Sequence, residues 1–189
     1  GIVAERDYLF NGSTKDHQEI FQREVQNNEW IKEHLTEAEQ TGEYRITGEY
    51  SYRNRYCASE GLVLAGDALG FLDPVFSSGV FLALKSGVML ADEIDSALRK
   101  GDLSAKSFDQ YGKRMQSSIE TMRKIVYAFY DKDFSFGDIA KRGEHLRAAL
   151  TDCLIGNVDD NEFRELFDAM SDVANLPEPI EHGLTTASS

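Results

Sequence analysis

The chain has 189 residues, enough for one domain with a real core. Its net charge is −13 and its pI about 4.7, which argues against nucleic acid and anionic membranes as partners, since both want a basic face. No apolar stretch is long enough to span a bilayer and no signal peptide is evident, so a reducing cytoplasm is the expected setting.

Cys57 and Cys153 are too few and too far apart for a disulfide scaffold or a metal knuckle. His17, His34, His145 and His182 show no metal-ligand spacing. The expected metal set is therefore none.

In chain order, Gly1 to Phe10 reads as a short strand that turns at Asn11-Gly12. Ser13 or Thr14 then caps a helix carrying Ile20, Phe21 and Val25. Asn27-Asn28 breaks it, and a shorter helix follows through Trp30, Ile31 and Leu35. Each has one apolar face, predicting packing on a sheet, with Trp30 in the core. From Gly42 to Tyr56 the pattern changes to period-two alternation, with Tyr44, Ile46, Gly48, Tyr50 and Tyr52 on one side. That predicts a strand with one buried face.

Leu62 to Ala65 is a short unbroken apolar run, predicting a strand buried on both faces, as in a parallel sheet. It ends at Gly66-Asp67, where an open α/β sheet would present its carboxyl end to a ligand. Asp67 is an acceptor for sugar or ribityl hydroxyls, and Gly66 and Gly70 allow close backbone approach. Asp73-Pro74 turns the chain, and Ser77-Ser78-Gly79 opens a helix whose first N–H groups suit an anion.

That helix is predicted over residues 78–98. It is apolar nearly all round at Val80, Phe81, Leu82, Ala83 and Leu84, with Gly101 as its stop. Ser86-Gly87 are small positions suited to close approach of another element, and Lys85 reads as a surface lysine rather than a base. Residues 104–130 carry the longest amphipathic pattern, from Phe108 and Tyr111 to Phe129, interrupted by Gly112. A loop at 131–136 precedes helices over 139–154 and 160–173. Pro177 and Pro179 end regular structure, and a disordered tail is predicted at Leu184 to Ser189.

The stretch GDALGFLDPVFSSGV, residues 66–80, resembles the second flavin-binding motif of FAD-dependent monooxygenases with the hydroxybenzoate-hydroxylase fold. Within that group it is most similar to the flavin-dependent halogenases. The resemblance runs from the first residue to about Leu98 and more weakly beyond. It implies an α/β protein: the C-terminal portion of a Rossmann-like FAD domain with part of a substrate sheet, followed by a helical region. The corresponding boundaries are 1–58 for the sheet remnant, 59–100 for the FAD domain, 101–176 for the helical region and 177–189 for the tail. No GxGxxG turn occurs in the chain, so it reads as a piece of a longer enzyme, inactive in isolation.

The resemblance also implies chemistry. FAD, reduced by NAD(P)H or a flavin reductase, reacts with O2 to a peroxyflavin, and a bound halide or the substrate intercepts it. Gly66, Asp67, Ala68, Pro74, Ser77, Ser78, Gly79 and Val80 would contact the cofactor, and Ser78 and Gly79 would donate N–H groups to halide. Val75, Phe76 and Val80 would form a dry wall. Tyr50, Ser51, Tyr52 and Arg53 would lie near the flavin–substrate boundary, or else serve only cross-strand packing. The substrate would be a small aromatic or a carrier-tethered acyl group. The family's catalytic Lys would fall upstream of Gly1, leaving no catalytic residue to name. The WxWxIP signature of the enzymes acting on tryptophan is absent, and Phe76 stands where those carry an acid. Two other readings remain open: a reductase like the geranylgeranyl reductases, and a helical interaction module without cofactor.

Overall fold

The computed structural model describes residues 1–12, 14–48, 51–158 and 163–179. It separates into two units, Gly1–Glu49 and Tyr50–Ser189.

The first unit is helical. The strand expected over Gly1 to Phe10 is replaced by α1 (Arg6–Leu9). Glu5, Arg6 and Asp7 are too polar for an apolar strand, and α1 is instead tied to the next helix. Tyr8 donates to Glu24 Oε2 at 2.9 Å, and Arg23 donates to the Leu9 carbonyl at 3.0 Å. That next helix, α2 (His17–Asn27), is capped by Asp16, whose Oδ1 accepts from the Gln18 and Glu19 N–H groups. Thr14, one of the two expected caps, instead accepts from the Asp16 N–H, and Ser13 lies outside the described residues. Asn28 ends α2 and caps α3 (Glu29–His34), as its position in the sequence predicts. Trp30 is not core: it is 63% exposed and stacks on His34 one turn later. Residues 43–48 form no strand, and Glu49 and Tyr50 lie outside the described residues.

The second unit contains two short antiparallel pairs. β1 (Tyr52–Arg53) pairs with residues Gly70–Phe71, and β2 (Ala58–Ser59) forms a hairpin with β3 (Leu62–Val63). Gly70–Phe71 is β4. The parallel strand expected from Leu62 to Ala65 is therefore corrected: it is half of a hairpin, and Leu62 is exposed. The reason is local. Gly61 takes a left-handed φ of 69° and folds the chain straight back onto Ala58–Ser59. A parallel partner would need a crossover of a dozen or more residues and another strand, which the described residues of this unit lack.

Helices dominate the remaining described residues. α4 (Gly79–Lys100) stops at Gly101, whose φ of 66° permits the terminating turn the sequence predicts. Its buried stripe is Leu82, Ser86, Leu90 and Ala97. The expectation of all-round burial fails on the opposite side, where Val80, Leu84 and Val88 are 73%, 68% and 70% exposed. These three sit four residues apart and make one apolar ridge. A 3-10 turn, Ala105–Phe108, leads into α5 (Asp109–Tyr130). α6 (Phe136–Lys141) and α7 (Glu144–Leu154) replace the single helix expected over 139–154, with Gly143 between them. α8 (Arg164–Ser171) lies inside the segment expected over 160–173, of which 160–162 are outside the described residues. Residues 180–189, which include the tail expected to be disordered, are also outside them. No helix among the described residues is long and apolar enough to cross a membrane.

α5 runs through two apolar clusters. Tyr111, Met115 and Ile119 pack with Leu69, Leu82, Leu90 and Phe108, while Met122, Ile125 and Ala128 pack with Ile139, Leu150, Leu166 and Met170. Gly112 lies against the hairpin: a Cβ there would sit 2.3 Å from Cys57 Sγ. Gly112→Ala should therefore cost about 1–3 kcal/mol by overpacking. The urea midpoint should fall, and adding Cys57→Ala should recover part of the loss.

Burial pushes the Cys153 thiol up to about 12 and the Tyr111 phenol up to about 12, and it also raises Cys57. Groups raised on folding contribute stability below their unfolded values, about 8.5 and 10, which is lost as pH climbs toward the folded values. Urea midpoints should hold to about pH 8 and then decline. Cys153→Ala should flatten the first part of that decline.

Candidate functional site

The stretch from Gly66 to Val80 begins as a turn pinned from two sides. Ala65 is extended, Gly66 takes a φ of 53°, and Gly66–Ala68 form a 3-10 turn. The Gly66 N–H donates to Ser86 Oγ at 2.8 Å, and that hydroxyl donates to the Ala83 carbonyl at 2.8 Å. A Cβ on Gly66 would lie 3.3 Å from Ala83 Cβ, so close approach and positive φ both require glycine. The small position Ser86 thus admits another element, as its sequence context predicts. Just before the turn, Tyr111 of α5 donates to the Leu64 carbonyl at 2.8 Å. On the other side Tyr52 donates to the Asp67 carbonyl and Asn54 to the Ala68 carbonyl. Asp67 itself is exposed.

After β4, Asp73 organises the second half. Its Oδ1 accepts from the Val75 N–H and from the Tyr130 hydroxyl, both at 3.0 Å. A 3-10 turn, Pro74–Phe76, follows. Ser77 then takes φ 53° and ψ 31°, the one left-handed non-glycine among the described residues. Ser78 is right-handed and buried, and it precedes α4 without a side-chain capping bond. The Ser77 N–H donates to the Pro74 carbonyl at 2.9 Å, and the N–H groups that open α4 carry the partial positive charge of a helix start, which suits an anion. Nothing lies within 4 Å of a Cβ placed on Gly79, so the space beside the helix start is open.

All eight predicted cofactor residues therefore lie on one continuous, braced stretch. The expected apolar wall is not one surface. Phe76 meets Phe129 and Phe136 edge-on and packs against the second core cluster, whereas Val80 is exposed. Lys85 is half-buried with its Nζ over the Phe81 ring, 5.4 Å from the centroid.

A cleft of about 670 Å³ adjoins this stretch, bounded by residues 51–55, by 71–73, and by Arg123, Val126 and Tyr127 of α5. None of the eight predicted residues lines it, although Asp73 belongs to both. Of the boundary residues suggested by resemblance, Ser51, Tyr52 and Arg53 line the cleft, and Tyr50 is outside the described residues. In its wall, Glu120 accepts from Arg53 with one carboxylate oxygen and from Arg123, at 2.7 Å, with the other. Arg123 also donates to the Glu178 carbonyl at 2.5 Å. Desolvation, with the Arg123 charge next to it, lowers the Arg53 guanidinium to about 10. Sequence reading missed Glu120 and Arg123. Their i, i+3 spacing within α5 was the available signal, but it resembles any exposed helical ion pair.

Ser86→Ala would leave the Gly66 N–H without its acceptor, at a cost of about 1–3 kcal/mol. The unfolding midpoint should fall accordingly, and amide exchange at Gly66 should speed up more than exchange in the middle of α5.

The sequence profile described as tryptophan halogenase matches residues 19–144. The chain is 27% identical over 173 residues, 92% of its length, to a 1H-pyrrole-2-carbonyl-[peptidyl-carrier protein] chlorinase of Pseudomonas fluorescens. It is 33% identical over 103 residues, 54% of its length, to the corresponding brominase of Pseudoalteromonas luteoviolacea. Those matches cover 38% and 25% of the two relatives, so the chain spans well under half their length. Among solved structures it is similar to the myxobacterial chondrochloren halogenase CndH, a FAD-dependent halogenase. The TM-score is 0.58 at 27% identity, covering 88% of this chain and 43% of that one.

Proposed function

Because the chain belongs to the tryptophan halogenase family, we propose that it is the C-terminal part of a FAD-dependent halogenase acting on an aromatic or carrier-tethered substrate. In this reading residues 59–100 complete a Rossmann-like flavin domain, residues 1–58 belong to the substrate-binding side and residues 101–176 form the helical region. A cytoplasmic setting and a separate flavin reductase complete the picture. The observation that carries the reading is the uncapped, open start of α4 after the left-handed Ser77.

The residues fit the cofactor in kind. Asp67 is an exposed carboxylate able to accept from a ribityl hydroxyl. Gly66 and Ala68 would bring backbone close to that arm, and Pro74, Ser77 and Val80 would lie along the ring. Bound FAD would supply the electrons that activate O2 for halide oxidation. The chain's own part is orientation and electrostatics. The N–H groups of Ser78 and Gly79 would hold the halide at the positive end of a 22-residue helix. The rigid Asp73 turn would keep those donors aimed without reorganisation.

A carrier-tethered substrate is supported by the two relatives named for pyrrolyl groups on a carrier protein. The family match favours halogenase chemistry over the reductase and interaction-module readings.

The experiment supplies reduced FAD, O2 and bromide to a polypeptide containing this chain, with an aromatic or carrier-bound substrate. A brominated product that disappears without bromide is expected. A hydroxylated product, or turnover indifferent to halide, would sink the halogenase reading. Asp67→Ala should weaken FAD binding about tenfold, the worth of one hydrogen bond to a charged group. The 189-residue chain, without a GxGxxG turn, should bind FAD weakly.

A further inference from the structure

We propose that the cleft between β1, β4 and α5 binds a planar aromatic group bearing an anionic oxygen function. The ring would lie against Tyr52, Phe71 and Tyr127, and the anion would face Arg55 and Arg123.

The volume, about 670 Å³, is that of a small-molecule site. Its charge runs against the rest of the molecule. The whole chain carries −13, yet the described residues lining this cleft include Arg53, Arg55 and Arg123 against Asp73. Behind the wall, one carboxylate, Glu120, serves both Arg53 and Arg123. The Asp73 carboxylate already accepts from Val75 and Tyr130. Among the described residues that line the cleft, three guanidiniums stand with one carboxylate, Asp73. The side chains of Arg53 and Arg123 are only 9% and 13% exposed, so water screens their charges poorly. A guanidinium presents a planar fork suited to an oxyanion.

The walls favour a flat partner. Tyr52 and Phe71 are paired across the β1–β4 ladder with ring planes 19° apart. On the facing helix Tyr127 lies under Arg123, 5.5 Å from guanidinium carbon to ring centroid. Tyr52 and Tyr127 remain half-exposed, so their faces are available to a ring. The cleft shares Asp73 with the proposed flavin stretch, which would put such a ligand beside the cofactor as the acceptor substrate. That meaning rests on the function proposed above, whereas the binding itself does not.

The test titrates the chain with benzoate, with benzyl alcohol as the neutral ring and inorganic phosphate as the ringless anion, followed by calorimetry and ligand-observed NMR. Saturable benzoate binding is expected, about tenfold or more tighter than either comparator. Arg55→Gln at the exposed rim should weaken benzoate several-fold with an unchanged unfolding midpoint. Arg123→Gln should weaken it further, and Arg123→Lys should recover part of the loss. Tyr127→Leu should weaken benzoate without affecting phosphate. The proposal is overturned by absent benzoate saturation, by binding indifferent to both arginine variants, or by phosphate binding as tightly as benzoate. Displacement of benzoate by FAD would also overturn it, assigning the cleft to the cofactor. Failure to brominate would leave benzoate binding intact, so the two readings fail separately.

Discussion

The burial of α5 is the constraint on which the second unit depends. One helix supplies Tyr111, Met115 and Ile119 to one apolar cluster and Met122, Ile125 and Ala128 to the next. Each of the larger buried side chains contributes about 1.5–3 kcal/mol, so the helix binds the two clusters into one body. Its polar contacts do the positioning. Tyr111 holds Leu64 just before the Gly66 turn, and Tyr130 holds Asp73 just before the Pro74 turn. The candidate cofactor stretch is therefore fixed just before its start and near its middle by opposite ends of the same helix.

The buried Arg53–Glu120–Arg123 group follows a different logic. Buried ion pairs gain little net stability, because desolvation offsets most of the Coulomb attraction. An apolar trio at these positions would pack at least as well. What the ionic group adds is a fixed register between β1 and α5 in the wall of the cleft.

Val80, Leu84 and Val88 form an exposed apolar ridge on α4. α4 is apolar enough for burial on several sides, and the described contacts cover one of them. The relatives matched are more than twice as long as this chain.

Much of the local structure was legible in the sequence. The Asn28 break, the Gly101 stop and the turn chemistry of Asp73-Pro74 are dictated by residues that act within one or two turns of themselves. The flavin-like stretch was legible as a motif for the same reason, since its glycines and its helix start are short-range features. The strands were not. A strand is defined by its partner, and the alternation from Tyr44 to Tyr52 says nothing about which segment lies alongside. Gly61 turned the apolar run Leu62–Ala65 onto its nearest neighbour instead of a distant one. The cleft was hidden for a related reason. Arg53 and Glu120 are 67 residues apart, and only the packing of α5 against β1 brings them to one carboxylate bridge. Short-range signals in the sequence determined the Asn28 break, the Gly101 stop and the Asp73 turn, because each acts on backbone within a turn of itself. Tertiary packing decided which charges meet, because long-range electrostatics depends on distances that no local pattern encodes.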